Sequence, residues 1–193
     1  MKTLVVVLLA CLVATSALGY PYYGNDTIGV FFDTSSGLEQ IAIGPYVPFN
    51  VYLVLLYPNA PTNGFECTFT AWGPAPAFAL STTLMGNGPI DVDASVDGFM
   101  VGCASDYPVV NGGCVLAHRQ YMLTGVGFLY FYVNKATIPS LPGGLPVVTG
   151  NGVLRRCGVS SGDVTFPCAC VNYECRGLPV EPATFGAVKS LFR

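Results

Sequence analysis

Apolar and polar positions alternate along short segments of this chain with a period of two, not the 3.6 of a helix. In residues 65–71 apolar side chains alternate with polar ones, which is typical of a strand with one face in water. Residues 51–56 are apolar throughout, which favours a central strand buried on both faces. Glycine, proline, asparagine or serine bounds each segment. This pattern predicts an all-β domain.

The segments that we predict as strands are rich in β-branched and aromatic residues and are short. They are residues 28–33, 40–43, 48–57, 65–72, 90–96, 99–104, 114–123, 126–134, 146–149, 152–159 and 164–171. Short strands with frequent turns favour a two-sheet antiparallel sandwich of immunoglobulin-like type. We place this single domain at residues 20–178.

The chain begins with a segment typical of export. Met1 and Lys2 give a positive start, residues 4–14 are apolar, and small residues precede position 20. This pattern predicts a signal peptide over residues 1–19 and a secreted or cell-surface protein. The apolar run is shorter than the roughly 20 residues of a spanning helix, so we predict no membrane span. In an alternative interpretation, Cys11 is the lipidated residue of a lipoprotein.

Export makes the cysteines informative, because cysteines outside the cytosol form disulfides by default. The seven that follow the signal peptide are Cys67, Cys103, Cys114, Cys157, Cys168, Cys170 and Cys175. We therefore predict a disulfide-braced domain. An odd total leaves one thiol free or joined to a second copy of the chain as a covalent dimer.

Spacing restricts the pairing of these cysteines. Cys103 and Cys114 flank a turn-rich loop, so we expect them to close a hairpin. Cys168 and Cys170 are two residues apart, too far along a strand to pair with each other. Their partners are left open among Cys67, Cys157 and Cys175.

Composition excludes two classes of protein. Apolar residues make up 52% of the chain, which is enough to bury a core and excludes a disordered chain. The formal net charge is −3, and only Arg155 and Arg156 are adjacent basic residues. Nucleic-acid binding needs clustered basic residues, so we predict no nucleic-acid partner.

After Pro179 the pattern changes from strand-like to helical. Phe185, Val188 and Phe192 recur at the spacing of one helix face, which predicts a short C-terminal helix within a tail over residues 179–193. Packing of this helix on the sandwich and a docking or sorting tag are both compatible with the pattern.

The order of these parts resembles that of a group of uncharacterised exported proteins of uncultured bacteria. Those proteins share a signal peptide, an IGVFFD strand, a VYLVLL strand, scattered cysteines and a tail of the form TTWGxIKxLYR. Here the two strand motifs are residues 28–33 and 51–56, and the tail reads ATFGAVKSLFR over residues 183–193, with Phe185 and Phe192 in place of Trp and Tyr. The resemblance implies export and a cohesin-like or immunoglobulin-like sandwich, but no particular activity.

One acidic run matches part of a calcium loop. Asp91, Asp93, Ser95 and Asp97 alternate with small apolar residues, and the DxSxDG pattern that begins at Asp93 is that of the first half of an EF-hand loop. The twelfth position, where that loop needs a bidentate carboxylate, is Ala104. Calcium is therefore the metal that we consider for this run. The alternative is a plain strand that ends in an Asp-Gly turn.

A second candidate site is aromatic. Phe128, Tyr130 and Tyr132 lie on one face of a predicted strand, at spacings of roughly 7 Å. If that face is exposed, the rings form a strip that stacks on sugars. In the alternative, both faces of the strand are buried.

Catalytic signals are weak. His118 is the only histidine and has no recognisable catalytic neighbours in the sequence, so we expect an ordinary strand histidine and assign no catalytic residue. We predict a non-enzymatic exported sandwich that acts by surface contact, as a cell-surface or matrix component or an adhesin-like module. Its partner is an extracellular protein or glycan surface. The alternatives are a carbohydrate-binding module and, less favoured, a secreted hydrolase.

Overall fold

A computed structural model of the chain describes residues 24–175, which form thirteen strands and no α-helix. The strands are β1 Thr27–Phe31, β2 Gln40–Ile41, β3 Pro48–Leu56, β4 Gly64–Trp72, β5 Ala77–Leu84, β6 Ile90–Asp91, β7 Gly98–Gly102, β8 Gly113–Leu123, β9 Leu129–Asn134, β10 Val147–Gly150, β11 Val153–Arg156, β12 Gly158–Val159 and β13 Ala169–Val171. The prediction of an all-β domain is confirmed.

The strands form two sheets, as predicted. The first sheet has the order β12-β1-β3-β8-β5. The second has the order β11-β10-β4-β9-β13-β2, and β7 also pairs with β4 and carries β6. The prediction that all pairs are antiparallel is wrong for β1–β12 and β2–β13, which are parallel. In each of these pairs the two strands lie far apart in sequence, and such long connections permit parallel pairing.

Strand β3 is the central strand that its apolar sequence predicted. It pairs with β1 on one side and β8 on the other. Leu53 and Leu55 face the core between the sheets, whereas Val54 and Leu56 belong to a small apolar cluster with Phe31. Both faces of this strand are therefore buried over residues 53–56.

The core between the sheets is built around one aromatic ring. Phe131 on β9 is fully buried and contacts the rings of Phe32, Phe49, Phe69 and Tyr121, with centroid distances of 5.2 to 6.5 Å. Strands β3, β4, β8 and β9 all contribute to this group. Because side chains alternate along a strand, the neighbours of Phe131 on β9 point to the outer face.

Several strand boundaries differ from the prediction. Strand β5 was not predicted, because its sequence AFALSTTL mixes small, apolar and hydroxyl residues without alternation and lies almost fully exposed at a sheet edge. The strand predicted at residues 90–96 ends at Asp91. The strands predicted at 126–134 and 164–171 begin only at Leu129 and Ala169.

Disulfide bracing is confined to one loop of the described residues. Cys170 and Cys175 are joined. The predicted pair Cys103–Cys114 is wrong, because the Cys114 side chain is buried in the core while the Cys103 thiol donates to the Tyr107 hydroxyl at 3.1 Å. The cysteines that remain free are Cys67, Cys103, Cys114, Cys157 and Cys168.

Several predictions fall on residues that the structure does not describe. They concern the signal peptide over residues 1–19, the lipidation alternative at Cys11, and the tail over residues 179–193 with its short helix. Within residues 24–175, no helix is long and apolar enough to cross a membrane.

Candidate binding face

The outer face of the second sheet carries a cluster of five aromatic side chains. Its members are Trp72, Phe128, Tyr130, Tyr132 and Tyr173, which we call the aromatic cross. Tyr130 lies at its centre and contacts the four other rings. A tyrosine hydroxyl is protonated at neutral pH and can donate a hydrogen bond. Burial, and then the neighbouring Tyr173 and Tyr132, raise the pKa of Tyr130, which keeps its hydroxyl protonated further into the alkaline range.

Strand pairing determines the geometry of the cross. Trp72 on β4 is the cross-strand partner of Tyr130 on β9, and their near-parallel rings have centroids 6.3 Å apart. Tyr132 follows two residues along β9, at 6.4 Å from Tyr130. The Phe128 ring, two residues before Tyr130, lies 4.9 Å from the Tyr130 ring, and the Tyr173 ring lies 5.9 Å from it. Such offset and edge-to-face contacts stabilise aromatic pairs.

A tied loop holds Tyr173 in place. The Cys170–Cys175 disulfide closes the segment of residues 170–175, which carries Tyr173. The Asn172 amide nitrogen donates to the carbonyls of Ile43 and Gly127, and its amide oxygen accepts from the Ile43 amide. Asn172 also has a φ of 58°, which asparagine tolerates better than most residues. These restraints reduce the entropy cost of presenting the Tyr173 ring to a ligand.

The loop between β9 and β10 contacts this face of the sheet away from the cross. Ser140 donates its amide and its hydroxyl to the Glu66 carboxylate, at 2.7 and 2.6 Å, and this contact fixes the loop against β4. At the opposite end of β4, the Trp72 side chain is 64% exposed. The Tyr173 side chain, in the loop after β13, is 52% exposed. The face therefore presents aromatic rings to solvent.

The three rings predicted as a strip do lie together and outward. The interpretation in which both faces of β9 are buried does not hold for Tyr130 and Tyr132, which are partly exposed. Sequence reasoning missed Trp72 and Tyr173, which come from β4 and from the loop after β13. The one available signal for Trp72 was its place on the polar face of a predicted alternating strand.

The acidic run does not form a cluster of carboxylates. Asp91 accepts the amides of Asp93 and Met100, and Asp93 accepts the amide of Ser95. The Ser95 hydrogen bonds lower the pKa of Asp93. Among residues 24–175, no group of three or more His, Cys, Asp or Glu side chains is arranged to hold a metal. Calcium binding by this run stays a prediction.

Asp97 has a cationic partner that the sequence did not indicate. Arg119 on β8 is buried, and its guanidinium lies 3.2 Å from the Asp97 carboxylate. The same guanidinium donates to the Phe69 and Val96 carbonyls, at 3.2 and 2.7 Å. It also lies over the rings of Phe69 and Phe99, at 5.2 and 4.8 Å. Arg119 therefore fastens the acidic loop to the core.

His118 lies on the outer face of the first sheet. Its Nε2 is 3.0 Å from the Asn50 amide oxygen, and its ring stacks on Tyr52 with centroids 5.0 Å apart. Within the described part of the chain, His118 has neither a carboxylate nor a nucleophile as a partner. This arrangement lacks the geometry of a catalytic triad or dyad.

We expect a single free thiol of residues 24–175 to react in the folded protein. Burial raises the pKa of Cys114 to about 11 and that of Cys157 to about 12, and it raises the pKa of Cys67 further. At mildly alkaline pH, a smaller fraction of each of these three thiols is in the reactive thiolate form than for an exposed cysteine. The Cys168 side chain is also buried. Cys103 is the only free cysteine of this part that is not buried.

Reaction with an aromatic disulfide reagent counts the accessible thiols, on protein that lacks residues 1–19. One thiol is expected to react at once and the rest only in denaturant, and Cys103→Ser should remove the fast phase. Fast reaction of several thiols would contradict the burial of the others. The covalent dimer stays a prediction, and Cys103 is the residue that it would use.

No family model and no curated protein sequence matches the chain. The solved structures that resemble it distantly include two cohesin modules. A cohesin module from a family 33 glycoside hydrolase of Clostridium perfringens has a TM-score of 0.45 and 13% identity, over 70% of this chain and 90% of that one. The sixth cohesin of scaffoldin B from Acetivibrio cellulolyticus, in complex with a Cel5 dockerin, has a TM-score of 0.48 and 10% identity, over 78% and 100%. Similarity at this level transfers neither a family nor a binding surface.

Proposed function

We propose that this protein is a non-enzymatic, exported binding module that acts by surface contact, and that its contact surface is the aromatic cross. The observation that carries this proposal is the set of five rings that three separate elements bring to one exposed face. Clusters of exposed aromatic side chains are costly in water and mark binding surfaces in folded proteins. None of the five side chains carries a charge.

The chemistry of the cross favours a glycan as the partner. Sugar rings present apolar C–H faces that stack on aromatic rings, while tyrosine hydroxyls at the ring edges form hydrogen bonds to sugar hydroxyls. The cross offers both, with Trp72 as its most exposed ring and three tyrosines around it. An extracellular protein surface is the second candidate, because tryptophan and tyrosine are also enriched in protein interfaces.

Removal of either of the two most exposed rings of the cross is expected to weaken binding strongly. On a glycan array, the unmodified protein should bind at least one class of sugar. Trp72→Ala and Tyr173→Ala should each weaken that binding at least about tenfold, because aromatic anchors of this kind contribute about 2 kcal/mol or more each.

Phe166→Ala is the matched control, because Phe166 is an equally exposed ring, at 61%, that lies outside the cross. We expect this variant to bind like the unmodified protein. Circular dichroism checks that all variants fold. Binding that survives both Trp72→Ala and Tyr173→Ala would refute the cross as the contact surface, and silence towards every glycan would favour the protein partner.

A further inference from the structure

A groove continues from the aromatic cross at the edge of the second sheet. Residues of β2 and of the loop after β13 form it: Gln40, Ile41, Ala42, Asn172, Tyr173 and Glu174. The groove is open to solvent and has a volume of about 920 Å³. Tyr173 lines the groove and also contacts Phe128 and Tyr130. The cross and the groove are therefore one continuous surface.

Strand register aligns this surface in a single row. Trp72 pairs with Tyr130, Tyr130 pairs with Cys170, and Cys170 pairs with Gln40. Paired residues point to the same face of a sheet, so Trp72, Tyr130 and Gln40 lie on one line across the strands, with the fully buried Cys170 of the disulfide between Tyr130 and Gln40. Three strand spacings separate the ends of this row, a distance of about 14 Å. A single sugar unit does not span this distance, whereas a short oligosaccharide does.

Two polar side chains at the groove are available for a ligand. Asn172 is engaged, because its amide group holds the loop through the three hydrogen bonds described above. The Gln40 and Glu174 side chains are exposed and have no hydrogen-bond partner among residues 24–175. A carboxylate accepts several hydrogen bonds and an amide both donates and accepts, so together they suit a hydroxyl-rich ligand.

Charge restricts the ligand further. None of the groove-lining residues is basic, and Glu174 adds a negative charge at its rim. The chain as a whole has a net charge of −3. Acidic sugars would meet like charge without a cationic partner, which disfavours them.

On these grounds, and resting on the proposed function, we propose that the ligand is an extended, non-acidic oligosaccharide. Its units stack along Trp72 and Tyr130 and continue past Tyr173 into the groove. There Gln40 and Glu174 bind the hydroxyls of the units that extend beyond the rings.

The test measures binding as a function of chain length. The probes are cello-, chito- and xylo-oligosaccharides from disaccharide to hexasaccharide, with an oligogalacturonate series as the acidic comparison. In at least one neutral series, affinity should rise about tenfold or more between disaccharide and hexasaccharide, as expected when added contacts contribute. The acidic series should bind more weakly than the neutral one.

Two glutamine variants distinguish the contribution of the groove to binding from that of the rings. Gln40→Ala should weaken hexasaccharide binding about fivefold and leave disaccharide binding unchanged, because only the longer ligand reaches the groove. Gln120→Ala, a glutamine on the outer face of the other sheet, should change neither affinity.

The outcomes distinguish this inference from the proposed function. Binding that is independent of chain length, yet lost in Trp72→Ala, would overturn the extended ligand and leave the aromatic contact surface intact. Strongest binding of the acidic series would overturn the charge argument. Absence of binding to every series and to the whole array would overturn the glycan ligand itself.

Discussion

Phe131→Ala is expected to lower the free energy of unfolding by about 4 kcal/mol, the cost typical of removing a fully buried phenylalanine. The ring contacts four other aromatic rings from both sheets, so its loss leaves a cavity that neither sheet fills without moving the other. Urea unfolding followed by circular dichroism measures the change, with an unchanged m-value as evidence that the denatured state is the same.

A milder substitution at the same position tests the prediction if Phe131→Ala fails to fold. Phe131→Leu keeps most of the apolar volume and should cost about 1.5 kcal/mol. Phe166→Ala removes an exposed ring and should change stability by less than about 0.5 kcal/mol. A loss below about 1 kcal/mol in Phe131→Ala would contradict the central position of this ring in the core.

Arg119→Ala is expected to cost about 3 kcal/mol, because two carbonyls lose charge-assisted donors and the core loses the packing of a buried side chain. The carbonyls are those of Phe69 and Val96, and the packing partners are the rings of Phe69 and Phe99. Chemical denaturation at low and high salt measures the effect. We expect little salt dependence, because Arg119 itself is only 5% exposed.

Two variants identify which contact of Arg119 matters. Asp97 is half exposed, so Asp97→Asn should cost at most about 1 kcal/mol, as solvent-exposed ion pairs do. Arg119→Lys keeps the charge but loses the planar fork that reaches two carbonyls, and we expect most of the loss of Arg119→Ala to persist. Equal costs for Asp97→Asn and Arg119→Ala would show that the ion pair, and not the carbonyl contacts, provides the stability.

Arg119 is a partner of the acidic run that the sequence of the run does not indicate. Alternating oxygens followed by glycine are compatible with a metal loop, and no local signal indicates another cation. The partner of Asp97 is 22 residues away, on a strand of the other sheet. Only the packing of the two sheets brings that guanidinium to the loop.

The pairing of the cysteines likewise depends on distances that the sequence does not report. Their number and the predicted signal peptide favoured several crosslinks, yet Cys67, Cys114, Cys157 and Cys168 are buried as separate small side chains. A disulfide needs two Cα atoms within about 7 Å, and sequence separation does not report that distance. Of the pairings left open, the Cys170–Cys175 bridge is the one that the structure contains, at a Cα distance of 5.4 Å.

What the sequence determined by itself is local. A period of two follows from the geometry of a single strand, so the all-β class and the shared face of Tyr130 and Tyr132 could be predicted without any partner strand, and the unbroken apolar run of residues 51–56 predicted the buried strand β3. Cross-strand neighbours depend on register, and register depends on contacts between distant segments. The meeting of Trp72, Tyr130 and Tyr173 on one face, and the groove beside them, was therefore decided only by the tertiary structure.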